Sequence, residues 1–364
     1  MQNNKKVLCL TDAFSLGGAE RQLIGLAYYL KSEGYTVDLC SYISRNFYKQ
    51  LMESYGLHET CLDVKGGKLA KLLAVKKLIK TNRYDCVIIY KDTGSFIGCI
   101  LKFLGLQFKL IVSDRSTNIS YRKNDRIKFF LFSFSDYIVT NSFSQRDYIK
   151  VHYPNLESKL YTINNFTDTS YFIPDESLVR NHNTIRILVA ARISKSKNII
   201  KFLDVIKLLK ESGNKFQVMW FGNISHGEEE YDKLCKNKLV ENHLDDVFSF
   251  MPATANILSE YQNCDVFCLP SIYEGYPNAI CEAMSCGKPI ICSRVCDNPL
   301  IVEEGENAIM FDPYDTDDMY HAFLRYISLP EEKKLCMGQK SRELAELRFS
   351  ITTFTQKYIN LIDK

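Results

Sequence analysis

Short apolar runs rich in β-branched residues occur at 7–10, 36–41, 86–90, 109–112 and 137–140, and helix-like segments separate them. This alternation predicts a parallel sheet covered by helices, because parallel strands need crossover connections. A polar stretch at 171–184, with Pro174, Asp175, Asn181 and Asn183, interrupts the pattern, which resumes with runs at 186–190, 217–221, 265–270 and 289–293. The chain is therefore expected to form two α/β domains, residues 1–172 and 184–346. Two such doubly wound domains would face each other across a cleft at the carboxyl ends of their strands, where ligands normally bind.

The length of 364 residues, with 46% hydrophobic and 24% charged side chains, fits two ordinary globular cores. The longest apolar stretch, 96–112, is broken by Lys102, Gln107 and Lys109, so no uninterrupted run is long enough to span a bilayer. At the amino terminus Lys5 and Lys6 lead into only four apolar residues before Thr11 and Asp12, too few for an export signal, and a cytoplasmic location is expected. The 13 cysteines sit mostly inside apolar runs without zinc-ligand spacing and read as small core residues.

Charge is unevenly shared: residues 1–180 hold 25 Lys and Arg against 17 Asp and Glu, and the remainder holds 21 against 26, giving +8 and −5 within a total of +3. The positive half is suited to an anionic surface or substrate. Seven basic residues lie in 65–83, and in 121–134 Arg122, Lys123, Arg126 and Lys128 run into Phe129, Phe130, Phe132 and Phe134. A helical wheel of the first stretch gathers Leu69, Leu72, Leu73, Val75 and Ile79 on one side, with Lys76 inside the stripe. Two readings stay open, a solvated basic face on a core-packed helix or adsorption to an anionic membrane surface. No nucleic-acid-binding motif accompanies the charge, and no nucleic-acid partner is expected.

The densest chemistry lies at 265–289. A buried strand ends at Pro270, and the segment Glu274-Gly275-Tyr276-Pro277-Asn278-Ala279 forms a polar loop leading into a helix that begins near Pro277. Free amides at a helix start bind anions, and Gly275 allows close backbone approach to a phosphate. Glu282, about one turn into this helix, is placed to accept hydrogen bonds from ribose hydroxyls; Glu274 is placed to orient a transferred group.

Here the chain resembles the retaining glycosyltransferases of family 4. Glu274 and Glu282 match the family's E-x7-E signature, and Ala283-Met284-Ser285-Cys286-Gly287-Lys288-Pro289 matches its continuation. Arg192 and Lys197, after the run at 186–190, are similar to the family's pair of cations that neutralise the donor diphosphate. Gly17-Gly18-Ala19-Glu20-Arg21 resembles its Gly-Gly loop, which places Gly18 among the donor contacts. Asn141-Ser142 and Asn164-Asn165-Phe166 are further landmarks, and 347–364 resembles the element that crosses back to the first domain.

The resemblance implies the GT-B fold of two Rossmann-like domains. It also implies transfer, with retention, of a hexose or N-acetylhexosamine from a nucleotide diphosphate sugar, UDP-sugar favoured, to a saccharide acceptor. The basic first half favours a lipid-linked acceptor at the inner membrane face, as in surface polysaccharide assembly. Catalytic roles fall to Glu274, Arg192, Lys197 and Asp114. The donor site comprises Gly18, Arg192, Lys197, Glu274, Gly275, Tyr276, Pro277, Asn278, Ala279 and Glu282. No cofactor and no essential metal are expected, the Asp315-Thr316-Asp317-Asp318 run reading as a helix cap.

Three departures bear on donor identity. Ser113-Asp114-Arg115 stands where the family often has a histidine, Leu300 where glutamate is frequent, and Met251-Pro252 where glycine is common. Asp114 would either contact the sugar or acceptor or cap the following turn. A nucleotide-sugar 2-epimerase of the same fold and a non-catalytic nucleotide-sugar-binding subunit are the alternative functions.

Overall fold

The computed structural model describes residues 5–15, 17–118, 123–175, 177, 184–254 and 256–364. Asn181 and Asn183 of the expected linker, and Tyr121 and Arg122 of the basic-aromatic stretch, lie outside the described residues. The chain divides into two compact units, Met1–Phe166 with Ile351–Lys364, and Thr167–Ser350.

The first unit holds seven parallel strands, β1 (Lys6–Thr11), β2 (Thr36–Ser41), β3 (Glu59–Cys61), β4 (Cys86–Tyr90), β5 (Lys109–Asp114), β6 (Tyr137–Thr140) and β7 (Leu160–Thr162), in the order β3-β2-β1-β4-β5-β6-β7. Successive residues of a strand point to opposite faces. Val7, Cys9, Ile88 and Ile111 therefore pack with the helices Gly18–Ser32 and Ile351–Asp363 on one side. Leu8, Leu10, Val87, Ile89 and Leu110 pack with the helices Lys68–Asn82, Asp92–Phe103, Lys123–Phe132 and Phe143–His152 on the other. The helix Ile351–Asp363 buries Phe354, Tyr358, Leu361 and Ile362 there, each worth about 1.5–3 kcal/mol. Hydrogen bonds from Tyr35 Oη to Asp363 (2.9 Å) and from Lys109 Nζ to the Ile362 carbonyl (2.9 Å) fix its end.

The second unit has six parallel strands, β8 (Ile185–Ala190), β9 (Phe216–Phe221), β10 (Phe248–Met251), β11 (Val266–Leu269), β12 (Ile290–Ser293) and β13 (Ala308–Phe311), in the order β10-β9-β8-β11-β12-β13. Both units are Rossmann-like, the fold class expected from the sequence.

Four strands escaped the hydrophobic pattern. β3 and β7 have only three residues each and close the two edges of their sheet; β10 is an edge strand of four, and β13 is the four-residue run Ala-Ile-Met-Phe. The stripe expected on Lys68–Asn82 divides in two. Val75 and Ile79 are buried and Leu72 is half-buried, but Leu69 and Leu73, beyond Lys76 on the wheel, are exposed. Lys76 thus marks the edge of the buried stripe.

Ten of the 13 cysteines are buried and all are free thiols; burial pushes Cys40, Cys99 and Cys286 up to about 12, keeping them protonated. No helix among the described residues is long and apolar enough to cross a membrane.

Candidate active site

Chain order reverses between β8 and β11, the neighbouring central strands of the second unit. Their carboxyl ends are the topological switch point at which doubly wound sheets form a crevice. The loop after β8 carries Arg192 and, in a short 3-10 turn, Lys195–Lys197; the loop after β11 carries Ser271 and Glu274. A backbone hydrogen bond from Ile272 to the Ser196 carbonyl (2.8 Å) ties the loops together. Lys197 Nζ pairs with Glu274 Oε1, both side chains largely shielded, and Ser271 Oγ donates to the same carboxylate oxygen at 2.6 Å. Ser293 Oγ, at the end of β12, holds the Ser271 carbonyl at 2.6 Å. Arg192 is exposed and has no hydrogen-bond or ion-pair partner among the described residues.

Two backbone features shape this edge. Asn198 adopts φ +58° and donates from Nδ2 to the Pro313 carbonyl (2.8 Å), turning the chain directly from Lys197 into the helix Ile199–Glu211. Gly222, after β9, lies so close to the Ala191 carbonyl that an added Cβ would sit 2.0 Å from its oxygen. Only glycine lets the β8 loop pass there.

Beyond Glu274, the half-buried Gly275 and Tyr276 lead to Pro277, the N-cap of the helix Asn278–Ser285. No side chain caps this end, so the amides of Asn278, Ala279 and Ile280 have no intrahelical acceptor. Glu282 lies one turn in, 5% exposed, and its Oε2 accepts from Tyr261 Oη at 3.0 Å. At the opposite, amino ends of the strands, buried Lys288 donates to the carbonyls of Gln262 (2.7 Å) and Cys264 (2.9 Å), joining the segments that enter β12 and β11.

The structure thus gathers Arg192, Lys197, Glu274, Gly275, Tyr276, Pro277, Asn278 and Ala279 along one sheet edge, with Glu282 beneath them. Gly18 and Asp114 belong to the first unit. Gly18 opens the helix Gly18–Ser32 after β1, and Glu20, in its first turn, is buried and pairs with Lys91 at 3.0 Å. Asp114 ends β5, 1% exposed and saturated with partners. Lys128 Nζ (2.9 Å) and Ser116 Oγ (2.6 Å) donate to its Oδ1, as does the Ser116 amide (3.2 Å); Gln145 Nε2 donates to Oδ2 (3.0 Å). Burial alone would raise its pKa, but Lys128 and Ser116 outweigh burial and hold it below the ordinary carboxylate value. Its bond to the Ser116 amide is the turn-capping geometry, and with Lys128 it forms a buried ion pair.

The aspartate run 315–318 is a cap: Asp315 Oδ1 accepts from the amides of Asp317 (2.9 Å) and Asp318 (3.1 Å). Among the described residues no group of three or more His, Cys, Asp or Glu is arranged to hold a metal ion.

Family models match both units: glycosyltransferase family 4 over residues 16–171, and glycosyl transferases group 1 over residues 174–344. The chain belongs to the family 4 (group 1) glycosyltransferases. This glycosyltransferase is 24% identical over 339 residues to an uncharacterized glycosyltransferase of Haemophilus influenzae, spanning 91% of this chain and 92% of that protein. It is 27% identical over 179 residues to the N,N'-diacetylbacillosaminyl-diphospho-undecaprenol alpha-1,3-N-acetylgalactosaminyltransferase of Campylobacter jejuni, which takes in 49% of this chain and 44% of that one. Crystal structures of Anabaena HepE with UDP and glucose, and with UDP-glucose, both match the fold with a TM-score of 0.86 at 19% identity. The first covers 99% of this chain and 100% of its own, and the second 98% and 99%. The two Rossmann-like units are those of a GT-B glycosyltransferase.

Sequence reasoning did not find Ser271, Tyr261 and Gly222, which hold candidate residues of this glycosyltransferase in place, and it read Lys128, the partner of Asp114, only as one cation of a basic stretch. Their partners lie 3, 21, 31 and 14 positions away, and only Gly222, a glycine closing a strand-like run, carried a local signal.

Proposed function

We propose that this glycosyltransferase moves a hexose or N-acetylhexosamine from a nucleotide diphosphate sugar, UDP-sugar favoured, to a lipid-linked saccharide acceptor, with retention at the anomeric carbon. The observation that carries the reading is the convergence of Arg192, the Lys197–Glu274 pair and the uncapped Asn278–Ser285 helix at the switch point of the second sheet. A diphosphate seated there meets two cations and the amino-terminal, positive end of that helix, which favour the charge that grows as the sugar leaves. Glu274, already fixed by Ser271 and Lys197, is held to orient the sugar rather than to attack it. The departing phosphate oxygen takes the acceptor proton on the same face. Glu282 meets the ribose hydroxyls. Asp114 acts as a positioning residue. The charge of the diphosphate falls to Arg192 and Lys197, and no metal is required.

The UDP and UDP-glucose complexes of HepE support the choice of nucleotide, and the undecaprenol-linked acceptor named for the Campylobacter relative supports the acceptor class.

The test is release of nucleotide and formation of product from a panel of UDP-sugars, in EDTA, by wild type, Lys197→Ala and Glu274→Ala. Each variant should lose about 10²–10³-fold in turnover while its melting temperature moves little. Wild-type rates in both variants would remove the assigned roles, and activity restored only by a divalent ion would remove the metal-free mechanism. The anomeric configuration of the product, read by NMR, checks retention; inversion contradicts it.

A further inference from the structure

The sheet face of the first unit that carries Lys68–Asn82, Asp92–Phe103 and Lys123–Phe132 leaves large apolar side chains uncovered. Leu69, Leu73, Phe103, Leu104, Ile127 and Phe130 are each more than half exposed. Phe134 bridges two of the helices, its ring 5.0 Å from Phe103 and 5.5 Å from Phe130, so the aromatic surface is continuous between them. The three helices pack side by side, the second touching both others.

Charge gives this face its second property. Between Asp63 and Asp85 the chain has seven Lys and Arg and no Asp or Glu. None of the seven forms an ion pair with a described residue. On the outer side of Lys68–Asn82, Leu69 and Leu73 are followed by Lys77, one turn further along the same row, and Lys80. Leucines flanked by lysines suit the boundary between headgroups and acyl chains: the leucines enter, and the long lysine stems carry their ammonium groups back to the phosphates. A folded acidic partner would satisfy the charge, but it would leave the aromatic strip around Phe134 without an apolar counterpart unless separately matched. An anionic bilayer supplies both at once.

We infer that this three-helix face docks the enzyme on an anionic phospholipid surface, Leu69, Leu73, Phe103 and Phe130 inserting and the 65–83 lysines pairing with lipid phosphates. The inference deepens the lipid-linked acceptor reading and rests on it for its purpose: docking would bring the enzyme to the surface that carries the acceptor.

The test is cosedimentation of the full chain with phosphatidylcholine vesicles and with the same vesicles containing phosphatidylglycerol. Wild type should bind the anionic vesicles and be released by high salt. Leu69→Asp combined with Leu73→Asp should weaken binding at least about tenfold. Both residues are exposed, so the melting temperature and UDP-sugar turnover with a soluble acceptor should be unchanged. Absence of wild-type binding, or equal binding by the double variant, overturns the assignment. Concentration-dependent self-association abolished by the double variant, without vesicle binding, also overturns it and makes the face a contact between copies. Vesicle binding without nucleotide binding would instead leave the surface standing and remove the donor reading.

Discussion

At the scale of single residues, the first unit holds a buried polar cluster around Asp114. Its carboxylate and the Lys128 ammonium are both buried, and Lys128 also pairs with Asp92 at 3.0 Å. Removing one partner strands a charge in the interior, so Lys128→Met is expected to cost about 3–5 kcal/mol, measured by urea unfolding. The pH dependence has a definite sign. The folded-state pKa of Asp114 is depressed, so its contribution is present above the unfolded value and is lost as pH falls through the folded one. The stability gap between wild type and Asp114→Asn should therefore be widest near neutrality and narrow below about pH 4. A gap unchanged down to pH 2 would show that Asp114 is not held as a buried carboxylate.

At the scale of elements, what was legible in the sequence was what depends on local pattern. The runs at 36–41, 86–90 and 137–140 are strands with those same bounds, and the helix expected near Pro277 starts at Asn278. Arg192, Lys197 and Glu274 were identified as site candidates from their residue types, spacing and family resemblance. That Lys197 and Glu274 would pair across 77 positions follows from the parallel register of β8 and β11, which no local window contains. The three-residue edge strands were illegible because an alternating pattern needs more residues to declare itself. Tyr261, which holds Glu282, sits on an ordinary helix where nothing local marks it. The junction of β8 and β9 gives a prediction at this scale. Gly222→Ala would drive a methyl group into the Ala191 carbonyl, backbone that cannot swing aside, and is expected to cost about 1–3 kcal/mol. It should also lower turnover by displacing the Arg192 loop. A variant as stable and active as wild type would mean that the loop tolerates a shift of more than 1 Å.

At the scale of the whole molecule, each unit is a doubly wound sheet with its own core, and the chain returns at Ile351–Asp363 to complete the first. The charge follows this division, the first half carrying the excess of Lys and Arg and the second the excess of Asp and Glu, apart from the local cations Arg192 and Lys197. On the proposed reading, an anionic surface meets the first unit and a diphosphate meets a confined point on the second. The account rests on that second point being a nucleotide diphosphate site. It is tested most directly by titrating the folded full chain calorimetrically with UDP, GDP, ADP and CMP, beside Arg192→Ala and Glu282→Gln. The account predicts selective binding of one diphosphate, UDP foremost, with affinity falling about tenfold or more when Arg192 is removed. Binding of none of the four by folded wild-type protein, or UDP binding indifferent to both substitutions, would contradict it.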